Sequence, residues 1–124
     1  MASIQPMQIK ITDIIRGDML DVSFNVTHNL ADLSGKTLYA EVRREQDSPI
    51  VLSFAELDNT LNYATITATE FTIAFIQPAS VMEAISPALY RISVIMGTAP
   101  NYEDKQTIIE GTFQVVTEIT KKPI

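Results

Sequence analysis

The feature that most constrains the fold of this chain is the alternation of apolar and polar residues with a period of two. Between Leu20 and Val26 the sequence reads LDVSFNV and alternates at every position. Successive side chains of a β-strand point to opposite faces of the sheet. The pattern therefore predicts a half-buried strand, with Leu20, Val22, Phe24 and Val26 facing the core and the polar residues between them facing solvent.

Similar short runs recur along the chain and predict a protein built almost entirely of strands. They begin at Met7, Leu38, Ile50, Leu61, Phe71, Tyr90 and Ile109. Turn-forming sequences such as Asp47-Ser48-Pro49 and Asp58-Asn59 separate them. About seven to eight short strands joined by such turns are typical of a β-sandwich or barrel. One segment differs, because the residues between Pro78 and Pro87 predict a short helical turn near residues 79–85.

The length and the pattern together predict one domain with an arm at each end. A chain of 124 residues is enough for one compact core and not for two. The alternating segments occupy residues 7–116, which we predict to form the single domain. Residues 1–6 are the predicted N-terminal arm and residues 117–124 the predicted C-terminal arm. Either these ends fray in solution, or a partner orders them.

The composition excludes several classes of function. The net charge is −6 and the nine Lys and Arg residues are scattered, whereas nucleic-acid binding needs clustered cations to displace the counterions of phosphates. No cysteine is present, which excludes disulfides, thiolate metal sites and cysteine nucleophiles. No apolar run approaches the roughly 20 residues that span a bilayer, and the N-terminus does not resemble a secretory signal. We therefore predict neither a nucleic-acid nor a membrane partner.

Side chains that carry catalysis or bind metal ions are sparse. His28 is the only histidine, and neither Ser23 nor Ser34 stands in a nucleophile motif. The carboxylates form groups without the spacing of a calcium-binding loop, and we interpret them as solvated loop charges. The groups are Asp13, Asp18 and Asp21; Glu41, Glu45 and Asp47; and Glu103 with Asp104. The sequence therefore predicts no enzymatic activity, no metal site and no cofactor.

The tripeptide Arg16-Gly17-Asp18 has two interpretations. In an extracellular protein it could be an exposed adhesion ligand. It also lies between two alternating segments, where glycine takes a positive φ at no steric cost and aspartate bonds its own backbone. Because the chain shows neither a signal peptide nor cysteines, we interpret the tripeptide as a tight hairpin corner between the first two strands.

The tyrosines leave a glycan-binding function open. The chain has no tryptophan, so any aromatic platform for sugars must come from tyrosine. The alternation predicts that Tyr39 points outward, and Tyr63 and Tyr102 are predicted to be exposed. A host glycan-binding module is therefore an alternative interpretation.

The order of the motifs is similar to that of a known protein family. The chain contains, in this order, the segments IIRGDMLDVSFNV, ADLSGKTLYAEVRRE, IVLSF, PALYRISVIM and IIEGTFQVVTEITKKP. This order resembles that of the small Ig-like β-sandwich proteins of tailed-bacteriophage virions, which include the N-terminal domains of baseplate upper proteins and tail or fibre-attachment proteins. The matching positions are Asp32-Leu33-Ser34-Gly35, Val42-Arg43, Gly111-x-Phe113-x-Val115 and Ile119-Thr120-Lys121. The resemblance extends from Ile9 to Lys122.

The resemblance implies an all-β, Ig-like antiparallel β-sandwich over residues 7–116, with the helical turn near residues 79–85. Tyr90 resembles the tyrosine corner of such sandwiches, and Gly111 inside a strand indicates a bulge or a close backbone approach. The implied function is that of a non-enzymatic structural protein of the virion, assembled in the bacterial host cytoplasm, which joins tail or baseplate components to neighbouring subunits or fibres. A capsid decoration protein or head-fibre anchor is an alternative.

The predicted partners are other virion proteins and further copies of the chain in a symmetric assembly. Edge strands carry unpaired backbone N–H and C=O groups to which a partner segment can add, and terminal arms can extend onto neighbours. The residues predicted to contact a partner are Ile4, Gln5, Pro6, Arg16, Asp18, Tyr102, Ile119, Lys121, Lys122 and Pro123.

Overall fold

The computed structural model describes residues 7–27, 36–45, 47–67 and 70–117. Within these ranges the chain forms eight β-strands, one short α-helix and one 3-10 turn. The strands are β1 (Met7–Ile15), β2 (Leu20–Thr27), β3 (Thr37–Arg43), β4 (Ile50–Ala55), β5 (Leu61–Thr67), β6 (Glu70–Gln77), β7 (Ala88–Gly97) and β8 (Gln106–Val116). The helix α1 spans Ala79–Met82, and the 3-10 turn spans Glu56–Asp58.

The strands form two sheets that enclose one core. The five-stranded sheet has the order β1-β8-β7-β3-β4, and the three-stranded sheet has the order β2-β6-β5. β1 runs parallel to β8, and the other strand pairs of the described ranges are antiparallel. Two packed sheets of mainly antiparallel strands are the architecture of a β-sandwich, and the parallel pair β1–β8 is the departure from the predicted antiparallel pattern. The predicted all-β sandwich is therefore confirmed.

The core contains the inward side chains of both sheets. Phe54 of β4 contacts Phe75 of β6 with ring centroids 5.1 Å apart and planes at 74°. Phe113 of β8 lies 6.4 Å from Phe54, so these three rings link both sheets. Edge-to-face contacts of this kind add about 0.5–1.5 kcal/mol per pair to the stabilisation from buried area.

The strand β2 shows how the alternation meets the edge of a sheet. Leu20 and Val26 are buried as predicted, whereas Val22 and Phe24 are half-buried. β2 pairs only with β6 among the described strands, so one flank of its inward side chains has no neighbouring strand to cover it. The burial of these side chains fits their predicted inward direction, and the edge position of β2 accounts for the incomplete burial of Val22 and Phe24.

The segment between β6 and β7 closes one end of the core. α1 begins directly after Pro78 and is one turn long, which confirms the predicted helical turn. Met82 and Ile85 are buried and belong to the core cluster. No helix of the described ranges has the length and apolar character that crossing a membrane requires.

A tyrosine corner fixes the start of β7. Tyr90 is only 3% exposed, and its hydroxyl donates a hydrogen bond to the carbonyl oxygen of Ser86 over 2.5 Å. Burial of a phenol is favourable only when its polar end finds such a partner. The predicted role of Tyr90 is therefore confirmed.

Gly111 permits the close approach of β1 to β8. The two strands pair in parallel with Ile9 opposite Gly111. A Cβ atom at position 111 would overlap the carbonyl oxygen of Ile9. The predicted close backbone approach at Gly111 is confirmed.

Candidate binding surfaces

Most residues predicted to contact a partner lie outside the described ranges. They are Ile4, Gln5, Pro6, Ile119, Lys121, Lys122 and Pro123. His28 and Ser34, the candidate catalytic side chains of the sequence, lie outside as well. The structure places the remaining predicted contacts, Arg16, Asp18 and Tyr102, in two turns of the sandwich.

The tripeptide Arg16-Gly17-Asp18 forms the turn between β1 and β2, as predicted. Gly17 has a φ of +90°, and the Asp18 N–H donates to the Ile15 carbonyl over 3.1 Å. The predicted hairpin is wrong, because β1 and β2 belong to different sheets and the turn crosses the sandwich. Arg16 Nε donates to the Glu83 carbonyl over 2.9 Å. One nitrogen of the guanidinium that an adhesion receptor would need is thus engaged with the protein's own backbone.

The loop between β7 and β8 is held by the carboxylate of Asp104. Asp104 accepts hydrogen bonds from the Thr98 N–H over 2.8 Å and from the Thr98 hydroxyl over 2.7 Å. The Lys36 ammonium lies 2.5 Å away. Lys36 and Thr98 together lower the pKa of the Asp104 carboxyl. Asp104 is thus an exposed loop charge, as interpreted, and its carboxylate also fastens the loop to Lys36, the residue before β3.

The tyrosines do not form the exposed platform that glycan binding would use. Tyr102 lies edge-on to Tyr39 with ring centroids 4.9 Å apart, and Tyr63 lies edge-on to Phe71 at 6.2 Å. Burial raises the pKa of the Tyr39 and Tyr63 hydroxyls. All three tyrosines are half-buried. The predicted exposure of Tyr63 and Tyr102 is wrong because each ring packs against another ring.

The remaining carboxylates are dispersed over the surface. In the part of the chain that the structure describes, no three His, Cys, Asp or Glu side chains come together as a metal site would require. Glu41 lies within β3 and forms an ion pair with Arg43 at 3.2 Å. Its interpretation as a loop charge is therefore wrong.

The first candidate binding surface is a notch beside β4, which we call the β4 notch. It has a volume of about 330 Å³ and lies between β4, α1 and the end of β6. Its lining residues are Ile50, Val51, Leu52, Ser53, Asp58, Thr60, Gln77 and Val81. Three large apolar side chains of this lining are exposed: Ile50 by 46%, Val51 by 38% and Val81 by 37%. Exposed apolar side chains are normally scattered, so their meeting in one notch points to a contact surface.

The free edge of β4 beside this notch is partly satisfied by the chain itself. Gln77 Nε2 donates to the Ser53 carbonyl over 2.8 Å. The Ala55 N–H donates to Thr60 Oγ1 over 2.8 Å, and the Thr60 N–H donates to the Ala55 carbonyl over 3.2 Å. The expectation that edge strands offer rows of unpaired groups is therefore wrong for the second half of β4. A partner at this edge would bind mainly through side-chain contacts.

The second candidate surface is a polar groove on the outer face of the five-stranded sheet, which we call the sheet groove. It has a volume of about 720 Å³ and crosses β3, β7, β8 and β1. Its lining residues are Gln8, Ile9, Lys10, Glu41, Arg43, Glu45, Arg91, Ile92, Ser93, Thr107, Glu110, Gly111 and Thr112. Residues directly opposite one another in neighbouring strands share a face, so the strand register orders the outward side chains into rows.

Two rows of opposite character cross the sheet groove. The row that we call the basic row contains Arg43, Arg91, Thr112 and Lys10. The row that we call the acidic row contains Glu41, Ser93, Glu110 and Gln8. The rows are two residues apart along each strand, which corresponds to about 7 Å.

The central charges of the groove are unpaired within the described part of the chain. Arg43 is held by Glu41 Oε2 at 3.2 Å and by the Ser48 carbonyl at 2.7 Å. The side chains of Arg91 and Glu110 form no hydrogen bond or ion pair with any described residue. Arg91 also stands directly opposite Arg43. Like charges at such positions destabilise a sheet by roughly 0.2–1 kcal/mol. Charges left unmatched at this position are available to a charged partner.

The sequence alone did not reveal either surface. The run Ile50-Val51-Leu52 contained a usable indication, because three consecutive apolar residues in a strand must place at least one away from the core. No such indication exists for Arg91 and Glu110. They become neighbours only through the register of β7 with β8.

Comparison with known proteins finds no match for this chain, neither among family models nor among curated proteins. The fold, the two surfaces and the order of motifs in the sequence are therefore the features that point to a function.

Proposed function

We propose that this chain is a non-enzymatic structural protein that binds neighbouring protein subunits, and that it does so in the virion of a tailed bacteriophage. In that role it joins tail or baseplate components to neighbouring subunits or fibres. The observation that carries the proposal is the meeting of three exposed apolar side chains in the β4 notch.

The β4 notch has the chemistry of a protein contact. Its apolar side chains, Ile50, Val51 and Val81, stand beside the polar rim formed by Asp58 and Thr60. Covering such side chains contributes about 25 cal/mol for each Å² of apolar surface removed from water. An apolar centre with a polar rim is the usual anatomy of a protein interface.

The terminal arm of a neighbouring subunit has suitable chemistry for this notch. The hydrogen bond from the Thr60 hydroxyl lowers the pKa of the Asp58 carboxyl, which keeps a negative charge at the rim. The C-terminal arm, residues 117–124, carries an apolar residue, Ile119, close to the cations Lys121 and Lys122. An apolar contact with Val51 and an ion pair with Asp58 would use both features at once.

The motif order supports the assignment to a virion. The observed sandwich and the Tyr90 corner are the fold that the resemblance to tailed-phage proteins implies. A small sandwich that offers one apolar notch suits an assembly with many identical copies, because contacts that are weak singly become strong when they are repeated.

The test is incorporation of variants into particles. Phage particles and tail subassemblies are purified from cells in which the phage carries the wild-type gene, Val51→Asp or Met19→Asp, and the chain is quantified by mass spectrometry. Met19 is 60% exposed but lies outside the notch, so it is a matched control. We expect the wild type and Met19→Asp in tails, and a loss of at least about tenfold for Val51→Asp, since a charge is then buried at the contact.

Other outcomes of this experiment would contradict the virion function, the tail role or the β4 notch separately. Absence of the wild-type chain from particles overturns the virion function. Presence in heads and not in tails replaces the tail role by that of a capsid decoration protein or head-fibre anchor. Incorporation of Val51→Asp at the wild-type level removes the notch as the contact. Binding of the wild-type chain to a glycan array, together with absence from particles, would favour the glycan-binding alternative.

A further inference from the structure

We propose that the sheet groove is the contact between two copies of this chain, which pair face to face about a twofold axis parallel to the basic and acidic rows. This inference rests on the proposed assembly function and deepens it by naming the partner of this face. It concerns the outer face of the five-stranded sheet and does not involve the β4 notch.

The balance of charge in the groove favours a second copy over other partners. The charged lining residues are the three cations Lys10, Arg43 and Arg91 and the three anions Glu41, Glu45 and Glu110. The groove is thus neutral, although the whole chain has a net charge of −6. A uniformly acidic partner would match the basic row and be repelled by the acidic row. A partner that carries the same two rows in reversed order would match both the basic and the acidic row. A second copy of this chain, turned by 180°, is such a partner.

A twofold axis between the rows brings opposite charges together. Rotation by 180° places the basic row of one copy over the acidic row of the other. β7 is the central strand of the sheet, so the two β7 strands cross near the axis and run antiparallel. Arg91 of each copy then faces Ser93 of the other, between Glu41 and Glu110. The small side chain of Ser93 leaves room for the guanidinium.

The same operation covers an exposed apolar side chain. Leu89 lies on the outer face of β7, two residues before Arg91, and is 58% exposed. Rotation about the axis places Leu89 over Ile95 of the other copy, beside the half-buried ring of Tyr39. Ile95 is the apolar residue at the far end of the same face, but it is already buried at 8% exposure, so the apolar surface that is covered is mainly that of Leu89. The apolar contact thus flanks the ionic contact on both sides.

The face has the size that a specific contact needs. Five strands about 4.8 Å apart, with about 3.4 Å per residue along each strand, give a face roughly 24 Å in each direction. With side chains included, the accessible area approaches the ~800 Å² per partner of standard interfaces. Because ion pairs provide the match, we expect the association to weaken as salt increases.

The test measures the oligomeric state of the full chain by sedimentation velocity over a range of concentrations, at low and at high salt. We expect the wild type to form dimers at low salt. Arg91→Glu should raise the dimer Kd at least about 100-fold, since the symmetric interface contains the change twice and like charges then face each other. Glu110→Arg should do the same from the other row. The double variant Arg91→Glu/Glu110→Arg should bind at least about tenfold more tightly than either single variant, because opposite charges face each other again.

Matched controls separate a local contact from a general effect of charge. Lys105→Glu and Glu103→Arg change the net charge equally at exposed positions outside the groove, and we expect both to leave the Kd within about twofold. Circular dichroism identifies any variant that fails to fold. Glu110→Arg and the salt dependence of the wild type test the contact even when Arg91→Glu does not fold.

Three results would overturn the inference. One is a wild type that stays monomeric at millimolar concentration in low salt. Another is a dimer with the same Kd in both single variants and the controls. The third is a dimer that Val51→Asp dissociates and Arg91→Glu does not, which would transfer self-association to the β4 notch. Incorporation into particles is measured separately, so failure of this dimer and failure of the virion function are distinguishable.

Discussion

The phenolic oxygen of Tyr90 lies 2.5 Å from the carbonyl oxygen of Ser86, four residues earlier in the chain. This bond holds the start of β7 against the segment that follows α1. β7 is the central strand of the five-stranded sheet and carries Arg91 and Ser93 on its outer face. A bond inside the sandwich therefore helps to fix the position of the sheet groove outside it.

Removing the Tyr90 hydroxyl should destabilise the fold modestly. We expect Tyr90→Phe to lower the free energy of unfolding by about 1 kcal/mol, because a short, buried hydrogen bond is lost while the ring is kept. Urea denaturation monitored by circular dichroism measures the change. Tyr63→Phe is the matched control, since its hydroxyl reaches the Lys36 carbonyl only at 3.4 Å, and we expect a loss below about 0.5 kcal/mol. Equal losses in the two variants would contradict a specific role for the corner.

A side chain at position 111 should separate β1 from β8. The Cβ atom of Gly111→Ala would overlap the Ile9 carbonyl oxygen, and we expect a destabilisation of about 3 kcal/mol or more because one backbone must move away from the other. Hydrogen exchange should show faster exchange of β1 amides. Gly17→Ala is the comparison, because a Cβ there meets no atom within 4 Å.

The Gly17→Ala variant isolates the cost of the backbone conformation. Its φ of +90° is unfavourable for alanine, and we expect a loss of about 1–2 kcal/mol with β1 exchange unchanged. Faster exchange in β1 for both variants would show that the close contact at Gly111 is not what holds this strand.

The contribution of Asp104 to stability should depend on pH. Its folded-state pKa lies below the ordinary 3.8, mainly because of Lys36 and then Thr98. A lowered folded pKa gives stability that is present above the unfolded pKa and is lost as the pH falls toward the folded pKa. We expect the wild type to be more stable than Asp104→Asn above about pH 4, and this difference to shrink at lower pH.

The Lys36→Met background checks the cause of this pH dependence. Lys36 is the main reason that the pKa is lowered, so the stability change caused by Asp104→Asn should vary less with pH when the ammonium is absent. Thermal unfolding at a series of pH values measures this change in both backgrounds. The same pH dependence with and without Lys36 would contradict the assigned cause.

The Arg16-Gly17-Asp18 turn should matter for folding and not for adhesion. We expect Arg16→Met to lower the free energy of unfolding by about 1 kcal/mol, because the bond to the Glu83 carbonyl is lost. Asp18→Glu should change it by less than about 0.5 kcal/mol. Surfaces coated with wild-type or Asp18→Glu protein should bind cells equally. Adhesion to the wild type alone would establish the adhesion interpretation.

The sequence predicted those parts of the fold that depend on local chemistry. The period of two placed the strands, Pro78 placed the start of α1, and the neighbourhood of Tyr90 indicated its corner. It did not predict that β1 leaves β2 and pairs with β8. That choice depends on a contact between Ile9 and Gly111, which are about 100 residues apart, and no local pattern encodes such a pairing.

The candidate surfaces were harder to predict for the same reason. Asp104 pairs with Lys36, just before β3, and Tyr102 packs against Tyr39, within β3. In both pairs the residues are far apart in the sequence. Residues that looked free in the sequence were therefore engaged in the structure. Conversely, Arg91 and Glu110 looked like ordinary polar positions of alternating strands, and only the sheet register showed that their charges stand in ordered rows.

The hydrogen bond from the Gln77 side chain to the Ser53 carbonyl protects the edge of β4 against the addition of further strands when the protein is concentrated. An unprotected strand at this position could template fibrils, since each added chain would present the same edge to the next. The Gln77 amide and the Thr60 bonds to Ala55 already occupy the backbone groups to which the first added strand would bind. Along this half of β4 the molecule can thus expose apolar side chains at high local concentration without offering its backbone edge to a further strand.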